Sequence, residues 1–113
     1  MNNFRNLLIW TNSMQNIADI YKLTSKIKNQ GDLSLADQIN RAAVSIPSNI
    51  SEGSSRRTKK DFARFIEIAI GSSYELESQL LIVQSVYEYD ISDILKSVKE
   101  NQKTLQGFKK CLK

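Results

Sequence analysis

Apolar side chains recur at steps of three and four residues along four successive segments, and no other feature of the chain constrains its fold as strongly. This spacing places apolar residues on one face of an α-helix. A half-buried strand would show strict alternation, which no segment sustains. The four stripes are, in chain order, Leu7, Trp10, Met14, Ile17, Tyr21 and Thr24; Leu35, Ile39, Ala42, Ala43, Ile46 and Ile50; Phe62, Phe65, Ile66, Ala69, Ser73, Leu76, Leu80, Val83 and Tyr87; and Ile91, Ile94, Leu95, Val98, Leu105, Phe108 and Leu112. The chain is therefore predicted to be all-α.

Local capping signals divide these stripes into helices. Ser34 and Thr58 each stand three residues before an aspartate, which is the spacing of a capping box with aspartate in place of glutamate. The predicted helices span residues 4–29, 34–53, 58–88 and 92–112. Short connections force neighbouring helices to run antiparallel, so we predict an antiparallel up-down four-helix bundle. Residues 1–113 are predicted to form this single domain.

Two of the predicted helices carry a second apolar row, which a solitary bundle does not need. Two such rows would expose a larger apolar patch than most monomers tolerate, so they favour self-association. The alternative is an irregular bundle in which both rows are core. The residues assigned to the oligomer interface are Ile9, Ile20, Leu23 and Ile27 in the first helix, and Ile70, Tyr74 and Leu81 in the third.

The stretch SIPSNISEGSSRR, residues 45–57, contains the only proline of the chain together with five serines and a glycine. A proline costs a helix interior about 3 kcal/mol. However, Ile46 and Ile50 continue the second stripe without a break, so we predict a kinked helix that ends near the glycine. We interpret the stretch as a rigid corner that displays the arginines behind it. The residues assigned to this structural corner are Pro47, Asn49, Glu52 and Gly53.

Two other interpretations of this stretch were weighed. A plain loop does not explain the continued stripe. A helix-turn-helix would place a tight turn at residues 44–47, but its recognition helix would be only about five residues long before Gly53. Within the corner, we predict charge-assisted hydrogen bonds that involve Asn49, Glu52 and either Arg56 or Arg57, with Arg57 to Glu52 as one candidate pair. We also predict that Gly71 and the serines beside it allow a close helix approach.

Residues 38–80 resemble the hallmark region of the bacterial four-helix-bundle proteins first noticed inside intervening sequences of 23S ribosomal RNA genes. The resemblance is carried by the SIPSNIxEG core, the basic residues after it and the A-x-G-S-x-x-E-L-E stretch over residues 69–77. The opening segment, residues 4–24, is also similar. The resemblance implies an antiparallel four-helix bundle that commonly assembles as a homopentamer. It also relates the chain to the accessory protein of diversity-generating retroelements, a more basic pentamer that binds nucleic acid and a reverse transcriptase.

Catalytic chemistry has little support in this sequence. Histidine, the commonest general base and metal ligand, is absent, and Cys111 therefore has no histidine to activate it. We predict a non-enzyme without metal or cofactor. With one cysteine, no signal peptide and no apolar run near the roughly 20 residues of a membrane span, the chain is expected to be cytoplasmic and not membrane-bound.

Residues 54–64 hold five positive charges and one negative charge at the predicted start of the third helix, where backbone amides favour anions. The predicted nucleic-acid contacts are Arg41, Arg56, Arg57, Lys59, Lys60 and Arg64. A second basic stretch comprises Lys96, Lys99, Lys103, Lys109, Lys110 and Lys113. A net charge of +4 is modest, but copies in a ring would multiply it. We predict backbone-directed, salt-sensitive RNA or DNA binding; the alternative is a protein scaffold or regulator without it.

Overall fold

Each of the four helices packs against the next, and the last packs against the first, in a bundle of about 45 × 20 × 20 Å. The structure is a computed structural model that describes residues 3–112. After a 3-10 turn at Phe4–Asn6, the helices are α1 (Leu8–Asn29), α2 (Leu33–Ser54), α3 (Lys59–Tyr87) and α4 (Ser92–Lys110). No strand occurs within the described residues, so the predicted all-α class with four helices is confirmed.

The helix starts follow from local hydrogen bonding. Thr58 caps α3 as predicted, because its side chain accepts a hydrogen bond from the backbone amide of Asp61 at 3.1 Å. The predicted cap of α2 at Ser34 is wrong. Asp32 caps this helix instead, and its Oδ1 accepts from the amide of Leu35 at 3.2 Å. The preceding glycine takes a φ of +89°, which ends the α1–α2 turn early enough for the aspartate to serve.

The core face of α1 is the row that the sequence analysis assigned to an oligomer interface. Five of the seven assigned side chains are at most 7% exposed within the single chain, which corrects their assignment; these are Ile9, Ile20, Leu23, Ile27 and Ile70. Only Tyr74 and Leu81 remain open, at 53% and 41% exposure. Conversely, Met14 and Tyr21 were predicted to be core but are 42% and 46% exposed. The two apolar rows of α1 are therefore exchanged only in part, because Thr24 of the predicted stripe is buried and Trp10 and Ile17 still pack against the core.

Polar side chains on the buried face of α1 account for this exchange. Asn101 Nδ2 of α4 donates to Ser13 Oγ at 3.0 Å, and Ser97 Oγ of α4 donates to Asn16 Oδ1 at 2.6 Å. Asn12 Nδ2 donates to Asn101 Oδ1 at 3.4 Å. We call these five residues the α1–α4 polar seam. Because buried polar groups need hydrogen-bond partners, α1 can turn this mixed face inward only where α4 supplies them.

Tyr87, in the last turn of α3, bonds to the connection between α1 and α2. Its hydroxyl donates to Asp32 Oδ2 at 2.8 Å, and this hydrogen bond, with burial and the nearby carboxylate charge, raises the pKa of Tyr87 above its ordinary 10.0. The folded state thus holds the phenolic proton more tightly than the unfolded state. The resulting stability is complete below pH 10 and is lost as pH rises through the folded-state pKa.

We therefore expect the free energy of unfolding to fall more steeply above pH 10 in the wild-type chain than in Tyr87→Phe. Urea denaturation at a series of alkaline pH values measures both slopes, and the other tyrosines are common to the two proteins. Equal slopes would contradict the assignment of this hydrogen bond.

Candidate nucleic-acid interface

The corner between α2 and α3 is built on a helix that continues through its proline, as the sequence predicts. Pro47 is buried inside α2, which ends at Ser54. Asn49 Nδ2 donates to the Ser45 carbonyl at 2.8 Å and to Ser45 Oγ at 3.0 Å. Ser45 Oγ in turn lies 2.8 Å from Ser72 Oγ of α3. A chain of side-chain hydrogen bonds thus joins the segment around the proline to the neighbouring helix.

The close approach of the two helices occurs at Gly53. A Cβ atom there would lie 2.7 Å from Phe65 Cβ and 2.9 Å from Phe62 Cδ1, closer than real Cβ contacts come. The end of α2 therefore packs directly on the first turns of α3. The predicted close approach at Gly71 and its neighbouring serines is confirmed at Ser72, which contacts Ser45 of α2, but not at Gly71 itself, where a Cβ would meet nothing within 4 Å.

Arg56 is held against the surface of the corner by two side chains, Glu52 and Phe65. Its Nη2 donates to Glu52 Oε1 at 3.0 Å, and its Cζ lies 4.7 Å from the ring centroid of Phe65. Of the two arginines predicted as partners of Glu52, Arg56 forms the bond. The side chain also lines a shallow cavity of about 300 Å³ together with Asp61 and Arg64. Stacking and ion pairing reduce the freedom of this guanidinium before any ligand arrives.

Other elements bring further cations to the same end of the bundle. The last turn of α4 arrives there, because Lys109 Nζ lies 2.8 Å from Glu67 Oε1 of α3. The hydrogen bond and charge of Lys109 lower the pKa of Glu67 below its ordinary 4.5. The 3-10 turn, which contains Arg5, packs beside α2.

We call this region the basic end. Its cations are Arg5, Arg56, Arg57, Lys59, Lys60, Arg64, Lys109 and Lys110, and its acidic side chains are Glu52, Asp61 and Glu67. Eight cations against three carboxylates give a surplus of five charges, while the whole chain has a net charge of +4. The surplus at this end of the bundle thus exceeds the net charge of the whole protein, and the rest of the chain has a net charge of −1.

The predicted contact residues do not all belong to the basic end. Arg57, Lys59 and Lys60 are exposed, and no ion pair involves them within residues 3–112. Arg64 is also exposed and has a loose pair with Asp61 at 3.9 Å. Arg41, by contrast, lies fifteen residues before Arg56, about 20 Å away along the helix axis.

Arg41 lines a different cavity, between α1 and α2, together with Tyr21 and Val44. Arg41 is therefore not part of the basic end. It had been included among the predicted contacts because of its charge alone. Of the second basic stretch, Lys109 and Lys110 reach the basic end, whereas its members from 96 to 103 lie along the middle of α4 and Lys113 lies outside the described residues.

Residues 3–112 contain no group of three or more cysteine, aspartate and glutamate side chains arranged to hold a metal ion. None of the helices described above combines the length and the apolar character that a membrane span requires.

Comparisons with known proteins agree with the fold. A family model described as 23S rRNA-intervening sequence protein matches residues 5–107. A crystal structure of a protein with unknown function, from the S23 ribosomal protein family of Bacteroides thetaiotaomicron VPI-5482, superposes with a TM-score of 0.84. It is 25% identical, and the match covers 91% of this chain and 99% of that one. No curated protein matches the chain.

Proposed function

Because the chain belongs to the 23S rRNA-intervening sequence protein family, we propose that it is a non-enzymatic helical protein that assembles with its own copies and binds the phosphate backbone of RNA or DNA. The basic end is the binding surface. The observation that carries this proposal is the grouping of three exposed cations without ion-pair partners among the described residues, Arg57 just before the N-cap of α3 and Lys59 and Lys60 in its first turn.

The geometry of this turn favours anions in two ways. The N-terminus of α3 adds the positive end of a helix dipole, about half an elementary charge, to the three cations. The ordered Arg56 beside them adds a fixed donor. Neither nearby phenylalanine ring can stack on a base, because Phe62 is buried and the Arg56 guanidinium covers the ring of Phe65. Binding is therefore directed to phosphates and is weakly dependent on sequence.

Assembly is supported by apolar side chains that the single chain leaves exposed. They occur in two separate places: Tyr21 and Val44 line the α1–α2 groove, and Ile68 and Ile82 lie exposed on α3. A closed ring requires two different, complementary patches on each copy. Cyclic symmetry would place every basic end on the same rim, where their fields add. A homopentamer is the assembly that the family resemblance implies.

The test replaces Arg57, Lys59 and Lys60 together with glutamine, so that Arg56 keeps its structural contacts. Fluorescence anisotropy of labelled RNA and labelled duplex DNA is measured between about 50 and 200 mM salt. We expect the wild type to bind at low salt and to dissociate as salt rises. We expect the variant to bind about tenfold more weakly at low salt, with a salt slope for duplex DNA smaller by about 2 to 3 units.

The matched control replaces Lys22, Lys26 and Lys28 of α1 with glutamine, which removes the same charge away from the basic end. Its binding should change less than about twofold. Light scattering on the same samples is expected to give a multiple of 12.9 kDa for all three proteins. Absence of binding by an intact assembly would refute the nucleic-acid proposal, whereas a 12.9 kDa particle would refute assembly.

A further inference from the structure

A second surface, in the groove between α3 and α4, is not used by the proposed function. Tyr74 and Leu81 are the exposed large side chains on its α3 side, at 53% and 41%. Gln106 Nε2 of α4 donates to the Tyr74 hydroxyl at 3.5 Å, which places this side of α3 next to α4. Because Tyr74 and Leu81 are seven residues apart, they lie on one side of the helix, about 10 Å from each other. Leu95 of α4 is half-buried in the same groove.

The α4 side of this groove is positively charged. Lys96, Lys99 and Lys103 line a cavity of about 420 Å³ together with Leu95. None of the ion pairs formed by the described residues includes these lysines. Glu100 is the only carboxylate that lines the cavity. Glu77 on the α3 side adds a second, half-buried carboxylate, whose Oε1 accepts from Gln102 Nε2 at 2.9 Å. Three lysines against two carboxylates leave the groove with an apolar centre and a cationic edge.

We propose that this α3–α4 groove binds an acidic amphipathic helix of a partner protein. Helix-in-groove recognition uses apolar anchors at i, i+4 and i+7, and two turns of such a helix span the distance between Tyr74 and Leu81. Carboxylates that flank the anchors meet Lys96, Lys99 and Lys103, which supplies charge complementarity along the edge.

Two other occupants fit the groove less well. Nucleic acid would leave the apolar centre without a partner, because phosphates and sugars gain nothing from Leu81. A second copy of the chain would bring its own exposed apolar patches, and two of these are basic. Ile68 shares its cavity with Arg56 and Arg64 against one aspartate, and Val44 shares another with a lysine and an arginine against one aspartate. Such patches would set positive charge against the lysines of the groove.

The probe is a designed, fluorescently labelled helical peptide of about 15 residues with leucine at i, i+4 and i+7 and glutamate beside these anchors. A second peptide carries lysine in place of every glutamate. We expect the acidic peptide to bind the wild-type assembly and the basic peptide not to bind. Lys99→Glu with Lys103→Glu should weaken binding about tenfold. The matched control, Lys22→Glu with Lys26→Glu on α1, should change it less than about twofold.

A photo-crosslinking version of the acidic peptide maps its position on the wild-type protein, so the result does not depend on the folding of any variant. Crosslinks within residues 74–84 and 92–106 support the groove. Crosslinks at residues 54–64, equal binding of the two peptides, or displacement of the peptide by duplex RNA would overturn the proposal. Failure of the acidic peptide to bind would also overturn the groove proposal, but it leaves the test of the basic end unaffected, because that test uses other residues and another ligand.

Discussion

Gly53→Val is expected to lower the free energy of unfolding by about 3 kcal/mol. A Cβ at this position would stand 2.7 Å from Phe65 Cβ, which sits next to the backbone of α3 and cannot rotate away. The only relief is a displacement of the end of α2 from α3, which would also disturb the arginines that follow. Urea denaturation followed by circular dichroism measures the loss.

Gly71→Val is the matched control for this substitution. Gly71 also lies inside a helix, but a Cβ there meets nothing within 4 Å. Valine has a slightly better helix propensity than glycine, so this variant should gain a few tenths of a kcal/mol. If both variants lost stability equally, the close contact at Gly53 would not be the cause.

Phe62→Ala is expected to cost about 4 kcal/mol, the largest loss that we predict for a single substitution. Phe62 is 0% exposed and meets the ring of Phe108 edge to face, with the centroids 5.4 Å apart. It thus joins α3 to α4, and Gly53 of α2 packs on the same ring. Removing the ring leaves a cavity where three helices meet beneath the basic end. Denaturant unfolding measures the loss, and nucleic-acid binding should weaken as well.

Ile68→Ala provides the comparison, since Ile68 lies on the same helix but is 51% exposed. Its truncation should cost less than about 1 kcal/mol in the single chain. A similar loss for both variants would mean that the cavity term at Phe62 has been overestimated.

The sequence alone predicted the parts of the fold in which local periodicity and burial agree. In α2 and α3 the predicted stripes are largely the buried faces, with Ile50, Ile66 and Leu80 all 0% exposed. The four helices were also placed within a few residues of their observed ends, because glycine, aspartate and threonine act locally at their boundaries. A helix through Pro47 could also be predicted, because the apolar stripe of α2 continues past the proline.

Features that depend on distant partners could not be predicted in this way. The inward face of α1 includes Ser13 and Asn16, whose partners lie more than eighty residues away in α4. Ranking faces by apolar content favoured the row with Met14 and Tyr21 instead. The same limit applied to the corner, where the choice between Gly53 and Gly71 as the close contact depends on how two helices cross.

The candidate site was predicted only in part for a related reason. Charge composition identified Arg57, Lys59 and Lys60, which are adjacent in sequence and remain adjacent in space. It could not exclude Arg41, which the length of α2 separates from the basic end. It also could not include Arg5, which reaches that end because the 3-10 turn before α1 packs beside α2.

The α1–α4 polar seam has a consequence for how α4 is positioned lengthwise. Apolar contacts alone would allow α4 to shift along its axis, because one contact between leucine and isoleucine can replace another. Amide hydrogen bonds cannot be replaced in this way. A displacement of α4 by one turn, about 5.4 Å, would leave the buried side chains of Asn101 and Asn16 without hydrogen-bond partners. The hydrogen bonds therefore restrict α4 to discrete positions along the bundle axis. Lys109 and Lys110 belong to the same helix. The hydrogen bonds of Asn101 and Asn16 therefore also set how far these two lysines extend at the end of the bundle.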